Sequence, residues 1–111
     1  MQSYTKVYLD AFKKDETDFI SCEICQKKAT EIHHILARSK FKHLLNDIMN
    51  LQAICRSCHQ EYGDEVYLMP MLLKIHRRVL EINEIEFDEK HFDFYIELYK
   101  TKTELKKWVE Y

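Results

Sequence analysis

The sequence predicts a single α+β domain, mostly α, in which a short strand–strand–helix core is flanked by helices. Three observations predict it. One glycine and one proline in 111 residues favour helices over hairpins and turns. Apolar residues recur at helical spacing before residue 14 and again after residue 63. Between those flanks, two Cys-x-x-Cys units, Cys22/Cys25 and Cys55/Cys58, bracket a segment with strand-like alternation.

Tyr4, Val7, Tyr8, Ala11 and Phe12 share one face of a helix predicted over 3–14, with 15–18 as its polar exit. The first cysteine pair is a tight knuckle, and Ala29 to Ile35 is a strand or hairpin arm. Arg38 to Asn46 is a polar, basic connection with room for a helical turn. Ile48 to Ile54 is the second strand, with Asp47 and Asn50 supplying turn chemistry. The second cysteine pair starts a helix through His59 and Tyr62, with Gly63 as its stop. Pro70 suits the first turn of the next helix, whose apolar stripe is Leu72, Ile75, His76, Val79 and Leu80. Asp88 is the N-cap of a last helix with Phe92, Tyr95, Ile96, Tyr99, Leu105, Trp108 and Val109 on its core face. Stripes of this kind are packing surfaces rather than base-stacking platforms. The organisation expected is one domain over 1–111, a core at 19–62 and a helical C-terminal extension at 64–111.

A domain of this length buries only a modest core, so a structural metal would contribute materially to its stability. No apolar run is long enough to cross a membrane. The first residues are polar and mixed in charge, unlike a signal peptide. The expected location is cytoplasmic, where a reducing environment makes paired cysteines metal ligands rather than disulfides. Four thiolates from Cys22, Cys25, Cys55 and Cys58 suit a closed tetrahedral zinc site with no position left for water or substrate. A redox dithiol or a rubredoxin-like iron site are the alternatives. The gap between the pairs exceeds the roughly 15–20 residues of a compact four-cysteine ribbon, so something else is inserted there.

That insert carries His33 and His34, and His59 follows the last cysteine directly. Three histidines beyond the zinc shell suit a second, open metal site. Net charge is −2, against a protein that coats nucleic acid by bulk electrostatics, yet the charge is uneven. From Ile24 to Cys58, Lys27, Lys28, Arg38, Lys40, Lys42 and Arg56 face only Glu31 and Asp47, six basic against two acidic, or +4. A phosphate-handling site needs positive charge in that place, although ordinary solvated surface has the same composition. His43, His76 and His91 carry no such context.

Read in order, Glu31-Ile32-His33-His34-Ile35, Asn50-Leu51 and Cys55-Arg56-Ser57-Cys58-His59 resemble the zinc-bracketed members of the HNH nuclease family, over about residues 19–62. The resemblance implies a ββα-metal finger. It implies His34 as general base, His33 and His59 as ligands of a catalytic divalent ion (Mg²⁺, Mn²⁺ or Ni²⁺), and Asn50 as the asparagine whose hydrogen bonds hold the finger. Asn46 and Asp47 are nearby alternatives for the loop contacts. Neighbouring strand residues face opposite ways, so the histidine pair is expected at a strand end. A neutral imidazole can take a proton from water at cellular pH.

Two features depart from the family pattern. Gln60 to Gly63 offers no further His, Asn or Lys, which leaves two protein ligands plus waters, a shell suited to Mg²⁺ or Mn²⁺. The family's glycine-rich loop is replaced by Arg38 to Leu45, where Arg38, Lys40 and Lys42 are candidate DNA-backbone contacts. The expected function is metal-dependent hydrolysis of DNA phosphodiesters, leaving 5′-phosphate and 3′-hydroxyl ends. A bacterial or phage-encoded setting, such as a mobile element, is implied with it. The C-terminal helices would serve as a partner or homodimer surface, and no membrane is involved. The competing expectation is a noncatalytic zinc module that binds nucleic acid or protein.

Overall fold

The two alternating segments pair with one another. In a computed structural model β1 (Glu31–His34) and β2 (Leu51–Ile54) form an antiparallel ribbon with Glu31 opposite Ile54, Ile32 opposite Ala53, His33 opposite Gln52 and His34 opposite Leu51. Around it run α1 (Ser3–Ala11), α2 (Arg56–Tyr62), α3 (Met69–Ile82) and α4 (Glu89–Val109), with 3-10 turns at Lys42–Leu44, Ile48–Asn50 and Val66–Leu68. The structure describes residues 1–109, with side chains as far as residue 102. The expected core positions Leu105, Trp108 and Val109 therefore lie outside the described side chains. The class is α+β and mostly helical, with the ββα order of an HNH finger. Among the described residues no helix is long and apolar enough to cross a membrane.

Alternation along a strand gives the ribbon two faces. Ile32, Leu51 and Ala53 lie on one, packed against Tyr4, Val7 and Tyr8 of α1. Ile54 lies on the other, against Cys22, Cys58 and Tyr62 of α2. Gln52, also on that second face, donates to the carbonyl of Leu72 in α3 at 3.3 Å. The largest apolar cluster joins Leu72, Leu73 and Leu80 of α3 and Phe92, Tyr95 and Ile96 of α4 to Ile35, Leu36 and Leu44 from the loop between the strands.

Element ends deviate from expectation for local reasons. The first helix stops at Ala11 rather than 14 because Lys13 turns left-handed at φ 56°. Lys14 N–H then reaches the Leu9 carbonyl and Lys13 N–H that of Asp10, the paired bonds of a Schellman stop. Glu84, also at φ 56°, ends α3 in the same way through Ile85 to Leu80 and Glu84 to Glu81. The second strand begins at Leu51, not Ile48, because the Asp47 carboxylate caps Met49 N–H at 3.1 Å and winds Ile48–Asn50 into a 3-10 turn. Pro70 does sit in the first turn of α3, and Asp88 accepts from Lys90 N–H at 2.9 Å as α4 begins. Along α3, Leu72, His76 and Leu80 are buried with Leu73, while Ile75 and Val79 are only half-buried.

One buried polar knot crosses these layers. The Glu23 carboxylate accepts from Tyr8 Oη at 2.7 Å, His76 Nδ1 at 2.8 Å and Gln52 Nε2 at 3.3 Å. His76 Nε2 donates to the Ile48 carbonyl at 2.6 Å. The His76 ring thus bridges the Glu23 carboxyl group and the Ile48 carbonyl. Burial, then the Glu23 charge, hold the Tyr8 phenol well above the usual tyrosine range. Breaking one partner of such a knot leaves a buried charge uncompensated.

Candidate metal centres

The first cysteine pair is placed by backbone geometry. Cys22 N–H bonds the Lys27 carbonyl at 2.7 Å and Gln26 N–H the Cys22 carbonyl at 2.9 Å, with Gln26 left-handed at φ 65°. The second pair is placed by a helix start, where Cys55 is the N-cap of α2 and its Sγ accepts from Cys58 N–H at 3.4 Å. All four Sγ atoms lie within 4.8 Å of one another, and Cys25 and Cys55 approach to 3.7 Å. A disulfide requires about 2.05 Å, and all four cysteines are free. A tetrahedron with metal–sulfur bonds of about 2.3 Å has edges of about 3.8 Å, so the spacing fits a four-thiolate metal site.

The protonation states agree with that fit. Burial opposes ionisation of Cys22, but hydrogen bonds from the backbone of Cys25, Cys55 and Ile24 outweigh it and bring the thiol down to about 7. Burial pushes the Cys58 thiol up, reinforced by its cysteine neighbours. One thiolate is favoured in this apolar wall, and several together need a cation.

A second group forms where β1 ends beside α2. His33, only 6 % exposed, aims its Nε2 into a buried position with no hydrogen-bond partner. Its ring lies 4.5 Å from that of His59, centroid to centroid. The His59 Nδ1 lies 3.1 Å from a Glu31 carboxylate oxygen, and its Nε2 lies 3.3 Å from Asp64 Oδ2. A neutral ring donates from one nitrogen only, so the proton held on Nδ1 by Glu31 leaves a lone pair facing a carboxylate. The ligand atoms of His33, His59 and Asp64 all lie within 4.8 Å of one another. With the unpartnered His33 nitrogen, they fit a divalent ion. Burial, then the His59 imidazole, push the His33 pKa down to about 4, which keeps its lone pair available at neutral pH.

Gly63 is the stop of α2, as expected, and also serves this group. Its backbone is extended, at φ −72° and ψ 151°. A Cβ there would come 2.3 Å from His59 Cδ2 and 2.7 Å from the His59 carbonyl oxygen, so only glycine lets the chain pass the ring. The next residue, Asp64, takes the left-handed turn at φ 66° and brings its carboxylate back to His59. This supplies a third candidate ligand, where two protein ligands were expected.

His34 ends β1 on the opposite face. Its Nε2 lies 3.0 Å from the Leu45 carbonyl, so that nitrogen carries the proton and Nδ1 is left to accept one. Burial, with a smaller contribution from the Arg38 charge, holds His34 below the ordinary imidazole range despite the Leu45 carbonyl. Asn50 is fully buried. Its Oδ1 accepts from Leu36 N–H at 2.6 Å and its Nδ2 donates to the Leu36 carbonyl at 3.1 Å, stapling the two ends of the inter-strand loop. The alternatives are otherwise occupied, Asn46 with Ser3 and Asp47 with Met49.

A cleft of about 720 Å³ brings together Tyr4, His33, His34, Arg38, His59 and Asp64. Arg38 makes no ion pair there among the described residues, whereas Lys40 and Lys42 lie exposed elsewhere on the loop. Of the remaining histidines, His76 is in the buried knot, His43 lies 3.4 Å from Tyr95 Oη, and His91 is exposed.

Residues 22–65 match the family model for HNH endonucleases. The HNH segment contains the four cysteines, Glu31, His33, His34, Asn50, His59 and Asp64, and leaves α1, α3 and α4 outside. No curated protein and no solved structure matches the chain. Sequence reasoning missed Asp64 and the part played by Glu31. The chain's single glycine, followed at once by an acidic residue, was the signal available for Asp64.

Proposed function

We propose that the HNH segment makes this chain a metal-dependent endonuclease that hydrolyses DNA phosphodiester bonds. The observation that carries the reading is that one cleft is lined by both His34, whose Nε2 is taken up by the Leu45 carbonyl, and a group of three metal-capable side chains. In this reading His34 is the general base and Asn50 holds the loop that its Leu45 contact depends on. His33, His59 and Asp64 hold a catalytic divalent ion, and Cys22, Cys25, Cys55 and Cys58 hold a structural zinc. Residues 19–62 are the finger within one domain, extended by Asp64, and the helices that follow are its support.

The Leu45 carbonyl keeps the His34 proton on Nε2, so Nδ1 takes the proton as water attacks phosphorus. The bond to the 3′ oxygen breaks, leaving a 5′-phosphate and, after protonation of the departing oxygen, a 3′-hydroxyl. Arg38, unpaired in the cleft, neutralises charge on the phosphate, and Lys40 and Lys42 meet the backbone further along. A divalent ion, when bound, supplies Lewis-acid stabilisation of the crowded phosphate and the leaving oxygen.

The test is nicking of supercoiled plasmid with Mg²⁺, Mn²⁺ or Ni²⁺. Wild type should nick, and His34→Ala, folded and with equal zinc, should not. If both are inert at full zinc content, the noncatalytic zinc module replaces the nuclease.

A further inference from the structure

The HNH segment does not account for everything around His34. The ribbon register places His34 opposite Leu51, and that face of the ribbon is covered by α1, which lies before the matched residues. From α1, the Tyr4 ring meets the His34 ring at 4.6 Å between centroids and 76° between planes. Two residues line the cleft from that helix, Tyr4 and Thr5. A second tie comes from Ser3, whose Oγ donates to Asn46 Oδ1 at 3.0 Å. Asn46 directly follows Leu45, whose carbonyl holds the His34 Nε2 proton at 3.0 Å. The helix therefore reaches His34 twice, once on its ring and once through the loop that sets its tautomer.

We propose that Tyr4 is a positioning residue for the base His34, and that α1 is an integral part of the nuclease site. This rests on the nuclease reading above. A half-turn of the His34 ring about its Cβ–Cγ bond would break the Leu45 hydrogen bond and exchange Nδ1 for a carbon at the cleft. The edge-to-face contact with Tyr4 blocks that turn, and the Ser3–Asn46 bond holds the Leu45 carbonyl in place. The ring of Tyr4 is the working part, because its hydroxyl makes no hydrogen bond among the described residues.

The experiment compares Tyr4→Phe, Tyr4→Leu and Ser3→Ala with wild type, each zinc-loaded and in Mg²⁺. Misplacing a catalytic group by about 1 Å costs on the order of 100-fold. Tyr4→Leu should therefore lower kcat by about 10- to 100-fold with KM nearly unchanged. Tyr4→Phe should restore the wild-type rate, and Ser3→Ala should fall between. Nitrogen NMR of the His34 ring gives a readout independent of turnover. A single Nε2–H tautomer is expected in wild type and Tyr4→Phe, and mixed tautomers in Tyr4→Leu. Wild-type kcat with an unchanged tautomer in Tyr4→Leu overturns the proposal. So does a Tyr4→Phe loss as large as that of Tyr4→Leu, which would assign the effect to the hydroxyl. Should Tyr4→Leu fail to fold, Ser3→Ala decides by the same two readouts. A wild type that does not nick at all defeats the nuclease reading, while the tautomer comparison still judges Tyr4.

Discussion

The cysteine group and the histidine–aspartate group both draw on α2, one residue apart at Cys58 and His59, yet they are built on opposite plans. The cysteines come as two sequence-local pairs, each fixed by its own turn, and close on one another among Ile24, Ile54 and Tyr62. The second group gathers His33 from a strand end, His59 from a helix and Asp64 from the turn beyond it, and opens on a cleft. It leaves a buried nitrogen of His33 without a hydrogen-bond partner, beside a His59 ring set between two carboxylates. A closed shell of identical soft ligands stabilises a fold. An open shell of mixed ligands beside a proton acceptor is suited to chemistry.

The sharpest way to break this contrast is to remove one ligand from each group. Structural zinc binding is worth about 10–16 kcal/mol, comparable to the whole stability of roughly 5–15 kcal/mol for a domain. Cys58→Ser should therefore lose cooperative unfolding by circular dichroism, while His59→Ala should keep it. A Cys58→Ser protein with the wild-type melting curve would dissolve the distinction. Next in size is His34→Ala, expected to slow nicking by about 100- to 10,000-fold with zinc content unchanged.

Acid should separate the groups through His33. Its folded pKa of about 4 lies below the ordinary imidazole value of 6.5, so the unfolded chain takes up the proton first. The native state is then fully favoured above pH 6.5 and loses stability as pH falls toward 4. Without added divalent ion the loss should approach about 3 kcal/mol, at 1.36 kcal/mol per pKa unit. Denaturant titrations at pH 7.5 and 5.0 should show this slope in wild type and not in His33→Asn, both of which retain the cysteines. An equal slope in the two proteins would assign the acid sensitivity to the thiolates instead.

The smallest effects should appear around His59. Glu31→Ala removes the carboxylate that orients the ring, a kind of change that typically costs 10- to 100-fold in metal affinity. Asp64→Ala should cost at least as much, and Gly63→Ala should act through the Cβ that collides with His59. Calorimetry with Mn²⁺ measures all three, and zinc content should stay constant across them.

What was legible in advance followed from local rules. The two knuckles, the histidine pair at a strand end, Pro70 and Asp88 at helix starts, and the split between a strand-bearing core and helical flanks all depend on neighbours within a turn or two. Residues whose meaning depends on a return of the chain were not legible. Gly63 is the helix stop it looked like, but its further role, letting the backbone pass a ring four residues back, was hidden. Asp64 lay beyond the single helical turn searched for a third ligand, and two were expected, since the helix ends at Tyr62 and the chain doubles back. Glu31 stood in plain view inside the motif, but its bond to His59 spans the strand–helix contact.

By itself the sequence determined the pairing of the cysteines, the placing of the histidine pair and the ββα order, because spacing along a chain dictates which sulfurs share a turn and which side chains share a strand face. Only the tertiary structure decided that Asp64 completes the second group, that Glu31 turns His59, and that α1 covers His34. Those contacts join elements far apart in sequence, and no local period records where two packed surfaces meet.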